Sequence, residues 1–403
     1  MTSGQLPIDR LSNAVRDHRH ARLRTVMRGS GVDALAFTGA DFFSFVSNHE
    51  MTDLSFERPF LAVLPASGAS FAIVADQGRH LFDAERRRGT LWVDHLIFYS
   101  ETPHLRPGAR PATAWREIVA DTLAAQGLAK ARIGCDAVSG LLADAKARLP
   151  GLELVNANAA LRPARWIKHR EEIATVTALA ELSAAVMPHY RDVLRPGRSV
   201  RQADLAVAAR LHEEAERRFP AANFSLVKAH TVSGPASASP HGDGADCGRR
   251  VEADGVAIST LVTRLNGMVM ELARTWQIGR PDGRRLALHE CAVAAQEAGI
   301  DAAAAGRPVS AIDAAARTVI DAAGFSEHLL HRSGHGIGVV QHDFPEDVPF
   351  NGRPLEAGEL YAIEPGLYVP GVGGFRCADV VLVGTEVSRL PGPPKDIASC
   401  TVS

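Results

Sequence analysis

Five side chains in the C-terminal half of this 403-residue chain have the types and settings that chemistry needs. His241 stands in the glycine-rich loop PHGDG, where backbone can approach a ligand closely. His335 stands between glycines in SGHGIG, at the entry to an expected strand, and His342 follows seven residues later in VVQHD. Glu271 sits in MELART. Glu364 ends the apolar run of AIEPG directly before a Pro-Gly turn, where a strand presents a side chain at its mouth. Histidine titrates near working pH, which suits general acid–base work. Two carboxylates with a histidine also make a ligand set for zinc or iron(II). Any one of these residues alone is ordinarily structural, but several Gly- or Pro-framed ones in one segment point to a site.

These residues need elements to hold them. RHARLRTVMRGSG has helical apolar spacing and stops at glycine, VDALAFTG and ARIGCD are β-rich, and PFLAVLP and SFAIVA are expected to pair as strands. ATAWREIVADTLAAQG reads as an amphipathic helix, and such alternation predicts an α/β domain with a mixed sheet. A boundary falls near LRPARWIKHREEI, followed by one long helix over REEIATVTALAELSAAVMPHYRDVL and a second over QADLAVAARLHEEAERRF. Beyond residue 222 the chain turns strand-rich, interrupted by helices over RRLALHECAVAAQEAG and SAIDAAARTVIDAAG, the latter with Ser310 as its expected N-cap.

Composition narrows the function classes. A 46% hydrophobic and 22% charged chain of this length is an ordinary globular protein with room for two domains. A net charge of −2 gives no footing for nucleic acid or an anionic membrane, and 6% aromatic residues leave little for base stacking. The opening MTSGQLPIDRLSNAVRDHRHARLR lacks the apolar core of a secretory signal. No apolar run reaches the length of about 18 residues that a membrane span needs. Cys135, Cys247, Cys291, Cys377 and Cys400 are odd in number, scattered and without C-x-x-C spacing, which predicts reduced thiols in a cytoplasmic protein.

The order His241, Glu271, His335, His342, Glu364, in these frames, resembles the creatinase/aminopeptidase P/prolidase family with its pita-bread fold. WIKHREEI resembles that family's entry to its catalytic domain, and LRPGRSVRQADLA its next helix-loop-helix. The resemblance implies a two-domain α/β (α+β) protein, with a creatinase/prolidase-like domain over 1–162 and a pita-bread catalytic domain over 163–403. Metallopeptidases of the family hold two divalent cations on two aspartates, a histidine and two glutamates, and activate a bridging water. Those positions fall here on Thr260, Glu271, His335, Glu364 and, in RCAD, Ala378. Thr260 offers a neutral oxygen and Ala378 nothing. Glu271 and Glu364 alone would leave two dications with a double positive excess.

The pattern therefore comes closest to the metal-free creatinase-like branch, in which a histidine thirty residues before a glutamate serves as general acid/base. His241 precedes Glu271 by thirty. In FERPF, Phe56 and Arg58 resemble the segment that creatinase-like dimers insert into the partner's site to hold the substrate carboxylate. No arginine follows SGHGIG, where creatinase has a second one, which speaks against creatine itself.

The expectation is a cytoplasmic, homodimeric, metal-independent hydrolase of a C–N bond in a small amide, amidine or ureido compound. Its catalytic residues are His241, Glu271 and Glu364. Its substrate-binding residues are His335, His342, Phe56, Arg58 and Arg376. No cofactor is expected; the alternative is one divalent metal (Mn, Zn or Fe) on Glu271, His335 and Glu364. An Xaa-Pro peptidase with an atypical site, a lyase and a non-catalytic binding protein stay open. Around the site, Arg376 is expected to pair with Asp379, Glu271 alternatively with Arg274 or Arg376, and Asp343 and Asp347 to be solvated loop charges. Strand alternation puts Cys377 on the face opposite Ala378.

Overall fold

The structure, a computed structural model, describes residues 8–138, 140–244 and 248–402; Cys247 lies outside them. The chain divides into two compact units, one over Leu11–Arg165, the other from Trp166 onward with Ile8, Asp9 and Arg10.

The first unit is built on a mixed sheet of β1 (Ala34–Phe37), β2 (Leu61–Pro65), β3 (Phe71–Ala75), β4 (His95–Ser100), β5 (Arg110–Pro111), β6 (Arg132–Cys135) and β7 (Glu153–Asn156). Their order across the sheet is β5-β4-β3-β2-β1-β6-β7. The expected β2–β3 pairing is antiparallel, and β1 runs antiparallel to β2 but parallel to β6. Helix Asn13–Ser30 starts at a Ser12 cap and stops at Gly31, whose φ of 59° is cheap only for glycine. The edge strands β5 and β7 have weak apolar runs that hid them from sequence reading, whereas β4 carried, over residues 96–99, a β-rich run that sequence reading passed over.

In the second unit, helix Arg170–Val186 opens on a capping box between His169 and Glu172. The long helix expected through residue 194 ends there. Pro188, which has no N–H to donate, leads the chain into a single 3₁₀ turn, Met187–His189, before a short helix Tyr190–Val193. Helix Val200–Arg218 is capped by Ser199. Ser310 is not the expected N-cap: it is the first helical residue of Ser310–Ala322, and its N–H bonds the Asn351 carbonyl.

The strands of this unit are β8 (Phe224–Ser233), β9 (Gly255–Leu265), β10 (Met268–Ile278), β11 (Gly334–Gly336), β12 (Leu360–Ile363) and β13 (Gly366–Val369). After them come β14 (Gly373–Arg376), β15 (Asp379–Leu382), β16 (Ser388–Arg389) and β17 (Thr401–Val402). They form a sheet β17-β10-β9-β8, a sheet β11-β12-β15-β16 and the hairpin β13–β14. Helices Arg170–Val186 and Val200–Arg218 cover one face of the first sheet. Ser183 meets Thr263, and Asp204 accepts from Thr231 at 2.6 Å, so alternate residues of β8 and β9 point at the helices. Thr260 and Val262, with their β10 partners Ala273 and Glu271, therefore face the other side.

No helix among the described residues is long and apolar enough to cross a membrane. Cys135, Cys291, Cys377 and Cys400 are free and buried.

Candidate active site

Three strands aim the expected residues at one point. Glu271 is mid-β10, His335 is the centre of β11, and Glu364 is the first residue beyond β12. The glycines around His335 are a packing requirement: a Cβ on Gly334 would strike the Ala362 carbonyl oxygen, and one on Gly336 that of Phe344. The close approach that framed this histidine in the sequence is thus what locks its position.

His335 is fully buried, and its Nδ1 donates to the Gly336 carbonyl at 2.9 Å. Its Nε2 lies 3.4 Å from Glu364 Oε1 and 3.6 Å from Glu271 Oε2, and hydrogen-bonds neither. Burial alone would lower this imidazole's pKa; the two carboxylates outweigh it and push it up to about 10. For Glu364 burial would raise the pKa, but His335 and Arg376 hold the carboxyl far below its usual range. Gln341 Nε2 donates to Glu271 Oε2 at 3.0 Å.

The His342 ring stacks on His335, centroids 4.0 Å apart at 24°. Arg332 Nη2 lies 3.1 Å from His342 Nδ1. A guanidinium only donates, so Nδ1 accepts and the neutral ring carries its proton on Nε2. His342 is exposed overall, but loss of water from the ring face packed on His335, and then the charge of His335, lower its pKa, which favours that neutral form.

The two departures from the metallopeptidase pattern lie in one row. Ala273 pairs with Thr260 on one side and bridges Ala378 on the other. Arg376 enters this row: its Nη2 donates to Thr260 Oγ1 at 2.9 Å, and its Nε stands 3.8 Å from Glu364 Oε2. Burial opposes the guanidinium charge, but Tyr368, Glu364 and Glu271 outweigh it and raise the pKa further.

Several expected neighbours are placed otherwise. Asp379 pairs with Arg274 at 2.6 Å, and not with Arg376. Arg274 is an odd number of strand residues from Glu271, so it cannot be that glutamate's partner. Asp343 is buried and accepts the N–H groups of Val339 and Phe344, so it is structural and not solvated; Asp347 is exposed. The Cys377 thiol is buried, which raises its pKa. His241 is exposed and makes no hydrogen bond or ion pair with any described residue. Within the first unit Phe56 is 85% exposed, and Arg58 pairs with Glu57 and Glu101.

Sequence reading missed His331 and Lys228. His331 Nδ1 donates to the Arg332 carbonyl at 2.7 Å, so Nε2 accepts from the Tyr368 hydroxyl at 2.7 Å. Its four-residue spacing to His335 in HRSGH was the available signal. Lys228 has as its charged neighbours Arg376, Glu271 and Glu364.

Glu271, His335 and His342 bring ligand atoms within 4.8 Å of one another. His335 also suits a metal in its tautomer, since its other nitrogen is fixed by a carbonyl. The 3.4 and 3.6 Å separations to Glu364 and Glu271 match the roughly 3.4 Å between two ligands that sit about 2.1 Å from one tetrahedral ion. The residues fit one divalent cation. They do not fit two: Thr260 is engaged by Arg376, Ala378 has no donor, and the guanidinium brings a positive charge to that row.

Among known proteins, the model of metallopeptidase family M24 matches residues 174–385. The chain is 32% identical over 371 residues to a probable dipeptidase PepE of Mycobacterium tuberculosis, covering 88% of each. It is 28% identical over 223 residues to an Xaa-Pro dipeptidase of Pyrococcus furiosus, covering 55% of this chain and 62% of that one. The crystal structure of dipeptidase PepE from Mycobacterium ulcerans superposes with a TM-score of 0.79 at 25% identity, over 98% of this chain and 99% of that one.

Proposed function

Since the chain belongs to metallopeptidase family M24, a family of hydrolases acting on C–N bonds, we propose that it cleaves that bond in a small, carboxylate-bearing amide, using one cation position where the family has two. Dipeptides are the first substrates to test, because relatives are named dipeptidases. The observation that carries this reading is His335 Nε2, held between Glu271 and Glu364 without a hydrogen bond to either.

A divalent ion on Glu271, His335 and Glu364 would polarise the scissile carbonyl and acidify water. The remaining steps belong to the chain's own groups. Glu271 and Glu364 accept N–H groups of the substrate, and Arg376 keeps Glu364 ionised. His342 Nε2–H is the donor for the oxyanion. His241, exposed and unengaged, carries a proton between water and the leaving nitrogen. The cytoplasm is the proposed setting, and a homodimer, with Phe56 and Arg58 completing the partner's site, the proposed assembly.

A second reading, metal-independent and creatinase-like, is favoured by the same nitrogen: a proton on His335 already supplies the positive charge. Elemental analysis of the purified protein, paired with hydrolysis of an Xaa-Pro dipeptide panel with and without chelator, decides between them. The expected result is cleavage with no more than one metal per chain, lost on chelation. Cleavage that survives chelation favours the second reading. Two metals per chain, or no C–N hydrolysis of any panel member, would falsify the proposal.

A further inference from the structure

Lys228 lies on β8, where plain strand alternation would turn it toward the helices. Leu226 pairs with Thr263, a residue of the helix-covered face, and Lys228 sits two positions on. The register slips between them, so that Lys228 pairs with Val262 and Val227 is the extra residue of a β-bulge. A bulge reverses which way the following side chains point. Lys228 therefore shares the face of Val262 and Glu271, which form one row across three strands. Two strand spacings put its Cα about 10 Å from that of Glu271.

The surroundings say what an ammonium does there. Lys228 is half-buried, and its Nζ has no hydrogen bond or ion pair with any described residue. Its charged neighbours are Arg376, Glu271 and Glu364, and the guanidinium and Glu364 already stand together at 3.8 Å. A half-buried cation without a partner is costly unless an anion arrives to meet it. We propose that Lys228 is the anchor for the substrate's carboxylate, so that the pocket selects amides whose acyl or amine portion carries a free acid on the β8 side. The proposal rests on the hydrolase reading above and names its substrate class. It assigns this role to a residue outside the Phe56–Arg58 segment.

Binding separates this inference from turnover. N-acetyl-L-proline and N-acetylglycine, each against its primary amide, are titrated calorimetrically into wild type, Lys228→Gln, Lys228→Met and Lys228→Arg. Melting temperatures monitor folding. A charge-assisted contact predicts that wild type prefers the acid by about ten-fold or more. That ratio should fall to within about two-fold in Lys228→Gln and Lys228→Met and largely persist in Lys228→Arg. It should also persist at about 0.5 M salt, where the screening length of roughly 4 Å removes a mere long-range field. An acid-to-amide ratio near one in wild type overturns the proposal. So does an unchanged ratio in a folded Lys228→Gln or Lys228→Met, or no binding of either acid. Loss of the ratio in a protein that cleaves no amide keeps the anchor and removes the hydrolase reading. Cleavage with an unchanged ratio does the reverse.

Discussion

The two nitrogens of His335 do different work. Nδ1 is spent on the Gly336 carbonyl, which fixes the ring, and Nε2 is left facing two carboxylates. The carboxylates raise its pKa to about 10, above the ordinary 6.5. A raised pKa stabilises the folded state fully below the unfolded value and progressively less as pH climbs through the folded one. The metal-free protein should therefore lose stability between about pH 6.5 and 10, by a few kcal/mol at most. His335→Gln should flatten that slope, and denaturant melts at stepped pH check it. Glu364, with its lowered pKa, carries the opposite sign: its contribution is full above the usual carboxylate range and is lost progressively as pH falls below about 4.5. Because a divalent ion must displace the proton, its affinity should rise with pH across the same alkaline window. A titration with manganese that shows no pH dependence would contradict the shared position.

At the scale of elements, the row Thr260–Ala273–Ala378 carries the proposed loss of one cation position. Restoring acids there, as Thr260→Asp with Ala378→Glu, buries two carboxylates in metal-free protein with the single Arg376 guanidinium beside them. It should cost about 2 kcal/mol or more. Added manganese should recover that loss and raise the bound metal toward two per chain, read by melting temperature and elemental analysis. A double variant as stable as wild type and no richer in metal would refute the row's role. The turn of strand into site is equally testable: Gly336→Ala drives a methyl into the Phe344 carbonyl and should destabilise by about 1–3 kcal/mol in denaturant melts. Much of this was legible in sequence. Glycines on both sides of His335 and the Pro-Gly after Glu364 report backbone constraints, which are local. What stayed hidden depends on register. Alternation counted from Leu226 would put Lys228 on the helix face, and the Val227 bulge, formed by pairing with β9, turns it to the site. Arg274 taking Asp379, and Arg376 taking Thr260, are choices between strands distant in sequence that no spacing reveals.

For the molecule as a whole, Phe56 and Arg58 make the strongest claim. A phenylalanine ring 85% exposed stands two residues from a part-buried arginine whose ion pairs among the described residues are with Glu57 and Glu101. If the partner chain's site is its destination, neither mutation class alone should destroy the other's contribution. The pair Phe56→Ala/Arg58→Ala spoils the segment a chain lends, and Glu271→Gln spoils the site it owns. Each should be nearly inactive by itself. Mixed after subunit exchange, random pairing in a two-fold dimer leaves about a quarter of all sites with an intact glutamate and an intact visiting segment. Activity should return to about that fraction of wild type in the mixture, against the sum of the separate proteins as baseline. A mixture that exchanges subunits, as shown by native mass spectrometry, yet recovers nothing, places Phe56 and Arg58 outside catalysis. The site then consists of Glu271, His335, Glu364 and their neighbours within one chain.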